Sequence, residues 1–325
     1  MYKKILFILA TAAFSLMITA CMSGPKVDEQ AKANAPQGDI RIFSVDNDPK
    51  SDLPKVIEAK LAAHGFTIAA NTEMNRPFNI QFRQSDFEVF NLLTAFHTDL
   101  ARKLVMKYPD AGIFTPMGFG IYQAKGDKQL HVSILTAEAM AKIIGLKKVD
   151  PLLESIEKEA VAALKDAMPK ATVTFDTEPV EPVGPLLSKY TLEVDADDYD
   201  DAKEELEMGI QSGLQPKGFV LSNQMDFDLV IGEDESIESP FDFYDSYSIC
   251  KLKVIYNVAK TRPEAAAFAP CTMMLYKLKG SEEIVIGFPG VYNWISSAHV
   301  TDENALAELK KAQNDFETLL TDLTE

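Results

Sequence analysis

The sequence predicts an α+β protein made of two copies of one unit, each an antiparallel sheet with helices on one face. Three observations carry this. Short strand-like runs cluster apart from amphipathic helical stretches, instead of alternating with them as parallel sheets require. One stretch of sequence recurs downstream at a constant offset of 154 residues without gaps. A proline-rich segment, Thr177 to Pro185 with Pro179, Pro182 and Pro185, separates the two copies; proline removes backbone donors and favours extended chain, so residues 177–188 read as a semi-rigid linker.

The elements follow in order. Ile40 to Val45 opens the first copy as a strand. About Asp52 to His64 is a helix, with Leu53, Val56, Ile57 and Leu61 at helical spacing and Gly65 where a helix stop is wanted. Phe66 to Ala70 is the next strand, and Asp86 to Tyr108 is mostly helix-compatible after a short apolar beginning. Gly118 to Gln123 and Leu130 to Ile134 form a hairpin around Lys125-Gly126-Asp127. A short helix and then a long one, Leu152 to Met168, close the copy. The second copy repeats the order: strand Tyr190 to Val194, helix about Asp198 to Ser212, stop at Gly218, strands Met273 to Lys277 and Ile284 to Phe288 around Lys279-Gly280-Ser281, and final helix Asp302 to Leu323.

The repeat aligns Phe96–Lys142 with Cys250–Ser296. Pro109 falls on Pro263, Ala111 on Ala265, Phe114 on Phe268, Pro116 on Pro270, Tyr122 on Tyr276, and Lys125-Gly126 on Lys279-Gly280. Upstream, His64-Gly65-Phe66-Thr67-Ile68 corresponds to Lys217-Gly218-Phe219-Val220-Leu221. Proline, glycine and tyrosine in one register indicate a tandem duplication. The expected domains are residues 40–176 and 189–325.

Residues 1–20 have a basic start (Lys3, Lys4), an apolar run from Ile5 and small residues before a cysteine. Ile18-Thr19-Ala20-Cys21 resembles the lipobox of bacterial lipoproteins. The resemblance implies that residues 1–20 are a signal peptide and that Cys21 carries the lipid; several acyl chains, at roughly 0.8 kcal/mol per buried methylene, make such an anchor effectively permanent. Met22 stands where an Asp would favour the inner membrane, so the expectation is an outer-membrane lipoprotein facing the periplasm of a Gram-negative bacterium. Residues 21–39, polar with almost no large apolar side chain, read as a flexible tether.

Net charge is −17, and −19 once Lys3 and Lys4 are removed. Such acidity argues against nucleic-acid partners and against an electrostatic hold on anionic lipid. After Cys21, only Cys250 and Cys271 remain. In an oxidising compartment they read first as a disulfide candidate; free buried thiols, and a redox or soft-metal pair, are the alternatives. The histidines His64, His97, His131 and His299 show no HxH, HxxxH or HExxH spacing, so zinc is unsupported and no metal or cofactor is expected. Asp195 to Asp201 lacks the glycine and final glutamate of a calcium loop and reads as an aspartate-capped helix start. Gly232 to Glu235 reads as a solvated loop, and Ser239 to Tyr247, aromatic and acidic, as a loop that packs on the domain or offers a ligand surface. No phosphate loop, nucleophile elbow or Ser/His/Asp order is present.

The run Phe114-Thr115-Pro116, apolar strand, Tyr122, Lys125-Gly126, apolar strand resembles the centre of the DUF302 family. The second copy resembles it through Cys250, Arg262-Pro263-Glu264, Ala269-Pro270-Cys271 and Met273 to Tyr276. Many members carry a Cys-Asn-Pro stretch and a later Pro-Cys; here Lys251-Leu252 replace Asn-Pro, and the first copy has Phe96 and Met117 at the two cysteine positions. The resemblance implies a TBP-like β-α-β(4)-α unit that pairs, hence a monomer with an internal pseudo-dimer. It carries no activity with it. It places His97 just after the cysteine-equivalent Phe96, making His97, Tyr122 and Tyr276 candidates for a groove. The expected function is a non-catalytic periplasmic binding or interaction module, for a small ligand or an envelope protein. The alternatives are a thiol-based redox or sulfur-handling protein using Cys250 and Cys271, or a structural envelope protein.

Overall fold

Among the described residues, the strands pair only with antiparallel neighbours, and they do so in two sheets. A computed structural model describes residues 38–325 except 49, 177, 235 and 236. The expected signal peptide, Cys21 and all but the last two residues of the expected tether lie outside the described residues. The described part belongs to one compact unit, Gln37–Glu325.

In the N-terminal half the elements run β1 (Ile40–Asp46), α1 (Leu53–Ala63), β2 (Phe66–Glu73), α2 (Asn75–Phe82), β3 (Phe87–His97), α3 (Thr98–Lys107), a 3-10 turn (Pro109–Phe114), β4 (Met117–Ala124), β5 (Gln129–Leu135), α4 (Ala137–Ile143), α5 (Pro151–Ala167) and β6 (Thr172–Phe175). The C-terminal half has β7 (Leu187–Glu193), α6 (Asp200–Leu214), a short 3-10 turn (Gln215–Lys217), β8 (Val220–Asp226), α7 (Phe227–Gly232), β9 (Phe241–Cys250), α8 (Leu252–Ala259), a second long 3-10 turn (Pro263–Phe268), β10 (Cys271–Leu278), β11 (Glu283–Pro289), α9 (Tyr292–Ser297) and α10 (Glu303–Thr324). The sheet orders are β2-β3-β4-β5-β1-β6 and β7-β11-β10-β9-β8. Apart from the edge strand β6, the second order is the first read in reverse.

Local chemistry sets the helix ends. Thr136, Asp150, Asp226 and Asp302 each accept a backbone N–H from the first turn of the following helix. Gly65 and Gly218 take φ of +82° and +79°, the left-handed conformation that ends a helix at low cost only for glycine. The Asp195–Asp201 run behaves differently from expectation. Its helix begins at Asp200 behind Tyr199, which makes no side-chain cap, and Asp200 and Asp201 sit in the first turn, where the helix dipole favours negative charge.

Two segments contradict the sequence reading. Asp86–Tyr108, expected to be mostly helical, contains the 11-residue strand β3 before α3 begins. Ser239–Tyr247, expected to be a loop, is largely strand β9. The reason is the same in both. Each strand is covered on both faces, so Leu92 to Phe96 and Tyr244 to Ile249 are buried without a break and lose the period-2 alternation that marks a half-buried strand. The tether and linker boundaries also shift. Asp39 is buried, accepts from Ser297 Oγ at 2.6 Å and pairs with Lys142, so ordered chain begins before residue 40. Leu187 and Ser188 already belong to β7, and the linker is fastened to α9 where Val180 N–H donates to Ser296 O at 2.9 Å.

One apolar cluster runs through both halves, and a second is confined to the C-terminal half. On β10, Met273 and Leu275 face the second cluster with α6 and α10, whereas Met274 and Tyr276 face the first, beside the N-terminal half. The long 3-10 turns cross over: Pro263–Phe268 packs on β4 and Pro109–Phe114 on β10.

Candidate functional site

An apolar cavity lies in the C-terminal half, where β9 ends and β10 begins, lined by α8, α9 and α10. It holds about 60 Å³, several times the roughly 10–15 Å³ that admits one water. Its walls are Phe219, Ile249, Val254, Phe288, Leu309 and Phe316 among other apolar side chains, with Cys250, Cys271, Met273 and Trp294 supplying sulfur and indole. Cys271 pairs with Ile249 in the β9–β10 ladder, so the two cysteines are one residue out of direct opposition. Both thiols are free. Cys271 Sγ lies 3.8 Å from Phe268 O, a weak hydrogen bond.

Burial governs the thiols. It pushes Cys250 up to about 12, helped by the neighbouring Cys271, and Cys271 up to about 11, with a hydrogen bond from the Trp294 side chain pulling the other way. Both are protonated at neutral pH and are poor nucleophiles there. The cation at the rim, Lys251, is engaged elsewhere: its Nζ donates to Asp315 Oδ2 at 2.8 Å and sits 4.7 Å from the Phe219 ring centre. Asp315 also takes Lys311 at 2.7 Å, and these hydrogen bonds hold its carboxyl below the usual range against desolvation.

The N-terminal half carries Phe96 and Met117 at the positions equivalent to Cys250 and Cys271. Both are buried, and the Phe96 ring lies 5.6 Å from that of Phe227 in the opposite half. A thiol is smaller than a ring or a thioether, so the C-terminal half carries less side-chain volume at these two positions.

The other candidate residues do not meet there. His97 caps α3, its Nδ1 accepting Leu100 N–H at 3.4 Å, and its ring packs edge-on against Phe66 at 5.3 Å. Burial lowers its pKa, so it caps as the neutral imidazole. Tyr122 is buried at the junction of the halves and stacks on His131 at 5.1 Å; Tyr276 stacks on Tyr244 at 5.3 Å. His131 does not stand free in solvent: Nδ1 bonds Ser44 Oγ at 2.8 Å and Nε2 meets Asp127 at 3.2 Å. Sequence reasoning missed Met273 and Trp294. Met273 had a signal, since residues i and i+2 of a strand share a face, so it must accompany Cys271. Among the described residues, no group of three His, Cys, Asp or Glu side chains is placed to hold a metal ion.

The junction carries one further titratable group. Glu264, on the Pro263–Phe268 turn, is 8% exposed, and burial pushes its carboxyl up to about 7, with Asp176 adding to the effect. Arg262 opposes it weakly, at 3.6 Å. The folded state therefore takes up a proton at higher pH than the unfolded chain, whose carboxyl has the ordinary value of 4.5. This group's contribution is fully present below about pH 4.5 and is lost as pH rises to about 7. Urea unfolding between pH 5 and 8 should show wild type losing on the order of 3 kcal/mol relative to Glu264→Gln; parallel pH profiles would refute the assignment.

Residues 47–170 match the family model described as "Domain of unknown function DUF302", so the N-terminal half contains a DUF302 domain. A solved structure described as "Crystal structure of uncharacterized conserved protein DUF302 from Bacillus stearothermophilus" aligns with 42% of this chain and 98% of that chain, at 19% identity and a TM-score of 0.32. No curated protein matches. No helix among the described residues is long and apolar enough to cross a membrane.

Proposed function

We propose that this chain is a non-catalytic binding module of the bacterial cell envelope, anchored by lipid at Cys21 on the periplasmic side of the outer membrane, and that its ligand seat is the cavity beside Cys250 and Cys271. The observation that carries the reading is the wall chemistry: an almost wholly apolar cavity whose two thiols are protonated at neutral pH. Such a lining favours a small apolar or soft species over a charged metabolite.

The architecture proposed with it is a tandem pair of DUF302 units of TBP-like β-α-β(4)-α type, docked as an internal pseudo-dimer. Two features support it. The same strand order recurs in both sheets. The contacts are reciprocal, with each half's long 3-10 turn seated on the other half's equivalent strand, as an isologous interface requires.

Native mass spectrometry of residues 22–325, purified without reductant, tests the reading. An added mass is expected, and xenon under pressure should quench Trp294, the single tryptophan of the chain. Cys250→Phe, which installs the residue found at position 96, should abolish both responses while costing about 1–3 kcal/mol in stability. A bare protein that xenon does not affect would sink the proposal. A thiol-redox role is the second reading, favoured by two free cysteines lining one cavity. A mass about two daltons low, restored by reductant, would support it.

A further inference from the structure

The cavity assembles more sulfur than the cysteine count suggests. Cys271 and Met273 lie two residues apart on β10 and both line it, and Cys250 enters from the end of β9. Two thiols and a thioether thus line one apolar cavity with the Trp294 indole on its wall. Soft sulfur donors select soft ions, whereas calcium and magnesium demand oxygen. Zinc calls for three or four strong ligands, and among the described residues no carboxylate or imidazole joins this set.

We propose that Cys250, Cys271 and Met273 form a binding site for a soft monovalent cation of the Cu(I) class, with the two cysteines as thiolate ligands and the methionine as the weaker third donor. This rests on, and sharpens, the binding reading above. The step is an exchange without electron transfer: one Cu(I) forms two copper–sulfur bonds, both S–H bonds break, and the two protons pass to solvent. The bound unit carries one net negative charge; Lys251 lines the cavity, its ammonium held by Asp315, which also takes Lys311. Burial disfavours the bare thiolates, so the site suits an ion that bonds covalently to sulfur and displaces the protons itself.

The test uses the full chain carrying Cys21→Ser, reduced and kept anaerobic, titrated with Cu(I) against a chromophoric Cu(I) chelator. One equivalent should bind, quenching Trp294 in step. Apparent affinity should rise by about a hundredfold per pH unit near neutrality, because two protons leave. Cys250→Ser and Cys271→Ser should each lose stoichiometric uptake while keeping wild-type cooperative unfolding, and Met273→Leu should weaken it about tenfold. No uptake, uptake retained in either serine variant, or affinity independent of pH would overturn the metal site. The same samples are exposed to xenon. Quenching by xenon without Cu(I) uptake sinks the metal assignment alone and leaves the binding module standing; no response to either probe sinks both.

Discussion

Gly118→Ala is expected to part the two halves of the molecule. A Cβ at this position would sit 2.6 Å from Ala267 O and 2.9 Å from Ala269 O. Both obstacles are backbone atoms, one in the turn that the C-terminal half lays on β4 and one just after it, so no rotamer change relieves the clash. The neighbouring contacts are equally close: a Cβ on Gly120 would lie 2.5 Å from Ala266 Cβ, and Thr272 Oγ1 donates to Pro116 O at 2.8 Å. Relief requires β4 and the turn to separate, which exposes apolar core. Overpacking of this kind costs about 3 kcal/mol at its upper typical range. Urea unfolding should show a lowered midpoint, and protease should cut the 178–186 segment faster as its anchorage on α9 loosens. Gly232→Ala is the control, because nothing lies within 4 Å of its added carbon; helix propensity makes that change neutral or mildly stabilising. An unchanged midpoint for Gly118→Ala would show that the junction yields without cost.

Asp242→Ala should be the more damaging of two changes made at one ion pair. The Lys277 side chain is 0% exposed; its Nζ donates to Asp242 Oδ2 at 2.6 Å and to Ala196 O at 2.8 Å, and lies 4.5 Å from the Tyr199 ring centre. Removing Asp242 leaves an ammonium enclosed with only a carbonyl and a ring, and breaking a buried pair in this way costs about 3–5 kcal/mol. Lys277→Met removes the buried charge itself and keeps most of the volume, while Asp242, 19% exposed, can turn to water. That variant should lie within about 1–2 kcal/mol of wild type, since an apolar replacement often matches a buried pair. Denaturation midpoints of the two variants decide the matter. Equal losses would mean that the charge is not what the site must neutralise.

Where one face of an element meets solvent, the sequence was enough. α1 buries Leu53, Ile57 and Leu61 at helical spacing, while Val56, read in the same stripe, is left 37% exposed. The helix-ending glycines were equally legible, because only one residue type tolerates that backbone. The constant offset between the halves placed the paired turns, the two strands of each hairpin, and Cys250 and Cys271 opposite Phe96 and Met117. What it did not reveal was β3 and β9. Their second faces are covered by elements distant in sequence, and the resulting unbroken apolar run carries no period. The candidate groove residues His97, Tyr122 and Tyr276 stand apart from the cysteine cavity for a related reason. Alignment between repeats says which residues are equivalent, not which are adjacent, and packing sends His97 to a helix cap and the tyrosines to the junction.

Residue types and their spacing by themselves determined the antiparallel α+β class, helix α1 with its glycine stop, the acidity and the pair of cysteines. Only the tertiary structure decided that those cysteines share an apolar cavity with Met273 and Trp294, that Glu264 is buried near Asp176, and that Gly118 must lack a side chain. Local pattern reports how a segment meets water, whereas a cavity, a shifted pKa and a forbidden Cβ are properties of surfaces brought together from far along the chain.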